Sequence, residues 1–390
     1  MRRTDFGAQS PGRLVPISVD EKGRTVKHIA FLPNPLPVEF TLENQTWMAV
    51  FKATRNLARL NAIAEERLPN PKLLVQPTIR REAVSTSAIE GTFSSLSDVM
   101  RSDVNAELPR SVATTEVLNF VRATEHAIKR IATLPISVRL ACELHEILMN
   151  ATPGQDWQTG RVRRTQVFIG SHRSRSIRHA SYVPPPPGDA LRDGLTAWEK
   201  WIHADADVHP LVRVAASHYQ FESLHPFTDG NGRIGRLLAV LQIVDYGILS
   251  DPLVNLSPYI EARADEYRKR LRDVSTKGAW DSWVRFFCDA LADQAYDAEV
   301  RIRALLIWRE GMLVKLRRKG VKGVALKVVG DLIAEPSVTV KSIASKHKVS
   351  VQAANHAVNR LVELRIIREV TGKQYARIFE AADVYGILGG

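Results

Sequence analysis

Between His225 and Arg236, one acid (Asp229), one asparagine (Asn231), two arginines (Arg233, Arg236) and three glycines (Gly230, Gly232, Gly235) share the stretch SLHPFTDGNGRIGRLL, residues 223–238. Glycine accepts left-handed backbone and asparagine tolerates it, so TDGNG reads as a tight loop. The apolar RIGRLLAVLQIV after it reads as a buried helix. Such a loop delivers backbone N–H groups to a helix N-terminus, where they form a concave anion site. Arg233 and Arg236 share a face of the first turn. Cations there oppose the helix dipole, so they make poor caps but good partners for a polyphosphate. His225, at the entrance, is of the type that moves protons near neutral pH. No Gly-Lys-Ser/Thr follows, so this is not a P-loop, and no strand precedes it, so it is not a dinucleotide fingerprint. A structural reading, with Asp229 as an N-cap and the arginines in solvent, explains each residue singly but not their coincidence.

Helices must position this loop. VRVAASHYQFESL, apolar at Val212, Val214, Ala215, Tyr219 and Leu224, has to stop near His225 because Pro226 follows. Further helices are expected at about 112–132, 136–150, 257–276 and 280–310, and through LRDGLTAWEKWIH. Upstream, QTWMAVFKATRNLARLNAIAEER has helical spacing, LPNPKLL breaks it, and a second helix ends at Gly91. Residues 1–40 are rich in proline and read as an extended arm. GRVRRTQVFIGS alternates like a strand, and YVPPPPGDA is a proline-rich exit, so this section reads as a β-hairpin flap with a basic tip. That tip holds His172, Arg173, Arg175, Arg178 and His179. From about 320, three short helices and two strands around TGKQ suit a winged helix-turn-helix.

Composition sets the class. An apolar fraction of 45% and a charged fraction of 25% in 390 residues fit a globular chain of more than one domain. Cys142 and Cys288 stand far apart, which excludes a disulfide framework and a cysteine–zinc site. No apolar run approaches a membrane span and no secretory h-region opens the chain, so a cytoplasmic protein without membrane partners is expected. Of the net charge of +12, residues 311–390 supply +8, with 14 Lys/Arg against 6 Asp/Glu.

HPFTDGNGRIGR resembles the Fic-family signature HPFx(D/E)GNGRxxR at every defined position. The flanks HPLVRVAASHYQFES, GRVRRTQVFIG and NLSPYIEARADEY are similar to Fic domains too, so the resemblance spans about residues 40–300. It implies transfer of AMP from ATP to a Ser, Thr or Tyr hydroxyl of a protein target, which can be the chain itself. His225 would be the general base. Asp229 would hold Mg²⁺. Gly230, Asn231 and Gly232 would form the anion nest, with the Asn231 side chain also reaching phosphate, and Ile234 and Gly235 would complete the ATP-binding turn. Arg233 and Arg236 would clamp the outer phosphates. Phe227 reads as a core anchor.

Near Fic domains, STSAIEG resembles the inhibitory motif (S/T)xxxE(G/N), here Thr86, Glu90 and Gly91 on a helix at about 80–91. Glu90 would pair with Arg236 and displace ATP from a productive pose. The resemblance also makes Gln166, Val167, Phe168 and Ile169 the strand that docks the target by β-augmentation. Tyr267 would stack on adenine, although Arg268 stands where relatives often have a second tyrosine. In the C-terminal region, Gln352, Asn355, His356, Asn359 and Arg360 on the recognition helix, with Lys373 and Arg377 at the wing, are available to DNA.

The expected fold is therefore mainly α: an N-terminal arm and helical region over 1–110, a Fic core over 111–310 with its flap, and a winged helix over 320–390. The function expected is an autoinhibited protein adenylyltransferase. A nucleotide-sensing DNA-binding regulator and an AMP-removing enzyme are the alternatives. DNA against protein as the C-terminal partner, and a homodimer against a monomer, stay open at this point.

Overall fold

The computed structural model describes residues 1–67, 72–104, 110–170, 176–205 and 207–389. The flap-tip residues His172, Arg173 and Arg175 lie outside them.

Instead of a plain arm, the chain begins with an antiparallel hairpin, β1 (Gly12–Glu21) and β2 (Arg24–Pro33), paired from Gly12–Pro33 to Glu21–Arg24. Proline blocks helix but leaves an extended edge available, and Gly23 at φ +77 turns the hairpin. Val26 and Ala30 pack on Ile177, Ala180 and Val183, with Phe168 against them. The hairpin therefore backs the flap.

The helices follow in order: α1 (Asn44–Arg67), α2 (Lys72–Ile89), α3 (Leu96–Val104), α4 (Val112–Arg130) and α5 (Val138–Met149). Ser111 and Ser137 cap α4 and α5, each accepting a backbone N–H of the first turn. On α1, Val50, Leu57, Leu60 and Ile63 enter the core, whereas Trp47 and Phe51 stay exposed. The flap is extended but barely paired: β3 (Ile169–Gly170) meets β4 (Ala180–Tyr182), with a register shift between them. A basic 3-10 turn at Ile177–His179 includes Arg178 and His179.

α6 (Asp189–His203) leads to the central pair, α7 (Pro210–Leu224) and α8 (Asn231–Asp245). Nearly every residue of both is buried, polar side chains such as His218, Gln220, Arg233 and Arg236 included. Both helices are enclosed by α2, α4, α5 and α6 with α10 (Ala264–Lys277) and α11 (Trp280–Arg318), while α9 (Ser257–Glu261) packs on α2 and α11. Sequence periodicity merged α9 and α10 and ended α11 near 310; the helix instead runs 39 residues into the C-terminal region.

That region holds α12 (Val324–Asp331), β5 (Ser337–Val338), α13 (Val340–His347), α14 (Val351–Glu363), β6 (Arg368–Glu369), β7 (Phe379–Glu380) and α15 (Ala382–Leu388). The strands form an antiparallel sheet in the order β5-β7-β6. An Arg101–Glu380 fork, with contacts of 2.6 and 3.1 Å, joins α3 to β7.

Candidate active site

α7 ends at His225, whose backbone is left-handed at φ +51, and its N–H donates to Phe221 O at 2.9 Å. A left-handed non-glycine residue is uncommon, and histidine is among the types that accept it. The Nδ1 atom lies 3.2 Å from Glu222 O. A carbonyl only accepts, so Nδ1 carries the proton and Nε2 keeps its lone pair. Burial, then the charge of Arg163, pushes the imidazole down to about 4. His225 is thus a neutral acceptor at physiological pH.

The loop is closed from inside. Phe227 is fully buried, as its anchoring role requires. Asn231 accepts from Phe227 N–H at 2.8 Å and donates to Phe227 O at 2.9 Å, and it is 2% exposed. Both ends of its side chain are spent on the loop, so it does not reach outward to phosphate as the resemblance implied. Gly230, at φ +76, is the N-cap of α8, in place of Asp229. A side chain there would press on Met149 and Leu148.

Beneath the loop, the His145 ring lies parallel to Phe227 at 4.0 Å. Its Nε2–H donates to Asp229 O at 3.1 Å, and Nδ1 accepts Gly160 N–H at 3.0 Å. With Asp229 held by its backbone, the carboxylate stays exposed and accepts Gly230 N–H at 2.6 Å. Sequence reasoning missed His145; a lone histidine on an apolar helix carries no signal of its own.

The first-turn N–H groups of Asn231, Gly232 and Arg233 are those a helix leaves without internal partners. A side chain at Gly232 would collide with the Glu90 carboxylate, which therefore lies against the first turn of α8. Glu90 Oε1 accepts from Arg236 Nη2 at 2.7 Å. Arg236 also donates from Nε to Thr86 Oγ1 at 2.7 Å and from Nη2 to Thr86 O at 3.1 Å. Although burial opposes ionisation, Arg236 holds the Glu90 carboxyl below its usual range. Gly91, at φ +88, ends the helix that presents both residues. Arg233 is likewise engaged, with Glu116 at 3.1 Å. Ile234 and Gly235 are buried in α8, and Gly235 admits Glu222, whose Oε1 has no hydrogen-bond partner among the described residues. Burial raises the Glu222 carboxyl to about 7.

Tyr267 departs from expectation. It is 5% exposed, its hydroxyl is 2.8 Å from His218 Nε2, and its ring packs with Trp283 and Phe286. The aromatic cluster claims it for the core, so no face is open to a base. A cavity of about 340 Å³ lies instead between the flap and α10, lined by Ile169, Tyr182, Tyr219, Glu222, Arg268 and Leu271, among others. Of the flap residues, Ile169 is exposed and Val167 and Phe168 are half-buried. Gln166 donates to Val167 O and Pro184 O. On α14, Gln352, His356 and Asn359 are exposed, Asn355 is partly so, and Arg360 pairs with Glu363 at 2.8 Å. Lys373 and Arg377 are exposed.

Family comparison agrees with this architecture. Residues 47–129 match the N-terminal model of the Fic/DOC family, and residues 135–243 match the Fic/DOC family model itself. The protein adenylyltransferase Fic of Culex quinquefasciatus is 33% identical over 132 residues, 33% of this chain and 23% of that one. Its counterpart in Drosophila grimshawi is 37% identical over 108 residues, 27% of this chain and 20% of that one. The matched stretch thus spans about a quarter or less of these relatives. A Fic family protein from Desulfovibrio desulfuricans G20 shares the fold with a TM-score of 0.56 at 22% identity, over 88% of this chain and 97% of that one. Fic-1 (residues 134–508) from C. elegans does so at 0.50 and 23% identity, over 66% and 74%. The signature loop, the helices that carry it and both family matches lead to one conclusion: this chain belongs to the Fic/DOC family.

Proposed function

We propose that the chain transfers AMP from ATP to a hydroxyl of a protein target, and that Glu90 holds this activity in check. The observation that carries the proposal is the Glu90 carboxylate on Arg236 and against Gly232, at a helix N-terminus shaped for an anion, one loop away from a neutral histidine. When Glu90 withdraws, Arg236 and the first-turn N–H groups are free to bind the outer phosphates. His225 Nε2 takes the proton of the target hydroxyl, the oxygen attacks the α-phosphorus, and pyrophosphate leaves. The exposed Asp229 carboxylate is a hard oxygen donor that fits Mg²⁺, which keeps much of its coordination for water and phosphate. The ion would supply charge neutralisation on the phosphates. The cavity lined by Tyr182, Tyr219 and Leu271 is the apolar space available to the adenine.

The test is incubation with labelled ATP and Mg²⁺. Label in Glu90→Gly that disappears in Glu90→Gly/His225→Ala supports transfer; no label in any variant with a protein partner supplied refutes it. Loss of label from a pre-modified protein in the wild type would assign AMP removal instead.

A second reading concerns residues 320–390, which we read as a winged helix that binds DNA. It is favoured by the exposed Gln352, His356 and Asn359 and by a groove of about 390 Å³ where α14 meets Lys319 and Lys322. Binding to duplex DNA that weakens steeply with salt supports it. No binding at low salt ends it and leaves a protein partner.

A further inference from the structure

Arg163 is 1% exposed, and among the described residues it forms no ion pair. A buried guanidinium without a counter-ion is costly unless other dipoles satisfy it. Here those dipoles are backbone carbonyls. Nε donates to His225 O at 2.8 Å, Nη1 to Thr165 O at 3.1 Å, and Nη2 to Pro185 O at 2.7 Å and Leu224 O at 3.4 Å. The Arg163 N–H adds Pro226 O at 2.9 Å. Three successive carbonyls, of Leu224, His225 and Pro226, therefore converge on this one residue.

We propose that Arg163 is a positioning residue: it pins the left-handed turn at His225 and locks both limbs of the flap to that turn. The proposal rests on the reading of His225 as general base and of residues 166–169 as the docking strand. Left-handed backbone at a non-glycine residue persists where the surroundings over-determine it, and the convergent carbonyls supply that constraint. Thr165 lies on the limb entering the docking strand and Pro185 on the limb leaving it. A target hydroxyl aligned by the strand and the base that takes its proton are thus both referenced to one planar group. A displacement of about 1 Å between them is enough to lose ~100-fold in rate. A flexible ammonium is a point donor and cannot reproduce the fork.

The experiment compares Arg163→Lys and Arg163→Met, each in the Glu90→Gly background. It measures transfer rate at saturating ATP and Mg²⁺ against pH, ATP affinity by calorimetry, His225 titration by NMR, and the thermal midpoint. Lysine keeps the charge but not the fork: kcat falls at least ~10-fold, ATP affinity stays within about twofold, and the His225 titration hardly moves. Methionine removes both: kcat falls by ~100-fold or more, and the His225 titration moves up toward its usual range. If methionine prevents folding, the lysine variant decides alone by its split between kcat and ATP affinity. Parental kcat in the lysine variant overturns the proposal, as does a loss of rate that only tracks the folded fraction and ATP affinity. If Glu90→Gly transfers no AMP at all, the proposed function fails. The methionine variant's His225 titration and the hydrogen exchange of the 224–228 loop in both variants then judge Arg163 independently: an unmoved titration with unchanged exchange overturns it.

Discussion

The Glu90 carboxylate and the Arg236 guanidinium meet at 2.7 Å, while the Arg236 side chain, 1% exposed, is also held by Thr86. A residue that should greet solvent-borne phosphate is thus bound from α2. Glu90→Gly should raise AMP transfer ~10- to 100-fold, because release of the arginine restores the pose of the α-phosphate. Thr86→Ala should give a smaller rise, since it frees Nε but leaves the ion pair. Initial rates with labelled ATP decide both.

The same relationship predicts a difference in ligand stabilisation. ATP with Mg²⁺ at a hundred times its dissociation constant stabilises a protein by about 2.7 kcal/mol. Wild type, with the arginine occupied, should show a smaller thermal shift than Glu90→Gly at equal ATP. Equal shifts would mean that Glu90 does not compete with the nucleotide.

Acid should act through the histidines. His225 and His145 are both pushed down to about 4, by burial first, from a usual 6.5. The unfolded chain therefore binds more protons than the folded one between these values, and stability rises with pH across that window. The contribution is fully present above about 6.5 and is lost as pH falls through about 4. Glu222, raised to about 7, acts in the opposite sense between about 4.5 and 7 and offsets part of this contribution. The test is therefore a difference: His145→Gln should show a smaller fall of the urea midpoint from pH 6.5 to 4 than the parent. Transfer by Glu90→Gly should keep its neutral base well below pH 6, since Glu90 is one of the groups that raise the His225 value.

His145→Leu should unpair Gly160 N–H and Asp229 O beneath the loop. Two orphaned, part-buried groups cost about 1–3 kcal/mol in total. Denaturant unfolding would show this, and Glu90→Gly/His145→Leu should need more Mg²⁺ for half-maximal transfer because Asp229 loses its backbone anchor.

Arg101→Ala should remove the fork to Glu380, a charge-assisted contact worth about 1–3 kcal/mol. Hydrogen exchange should then quicken in β5 and β7 while α7 and α8 keep their protection.

What the sequence disclosed and what it hid differ in kind. The turn at 225–236 was legible because its chemistry is local: glycines, an asparagine and charges within a few bonds of each other. Thr86 and Glu90 became informative only beside that loop, and they do lie on Arg236. Long-range partnerships left no local mark. Arg163 and His145 drew no reading from the sequence, yet both are buried under the loop. Tyr267 was assigned to adenine by resemblance alone, and nothing local in the sequence says that its ring meets Trp283 and Phe286. The opening hairpin was read as an arm because prolines exclude helix without indicating which strand pairs with which. The short strands of the flap, two residues in β3 and three in β4, show the converse: alternation over GRVRRTQVFIGS promised more pairing than the described residues display.

The helix α11 crosses the expected domain boundary without a break. Its 39 residues extend about 58 Å. Near one end Trp283 and Phe287 sit in the aromatic core behind the candidate active site, and toward the other Trp308 reaches Asp383 and Leu316 is fully buried. The two regions therefore share a single beam instead of a hinge. Severing the chain at 310 would strip Leu313 and Leu316 from their packing, so a proteolytic core ending there should be less stable than the intact chain. A push on the C-terminal sheet has a stiff route, through α11 and the α3 fork, toward the helix that holds Glu90.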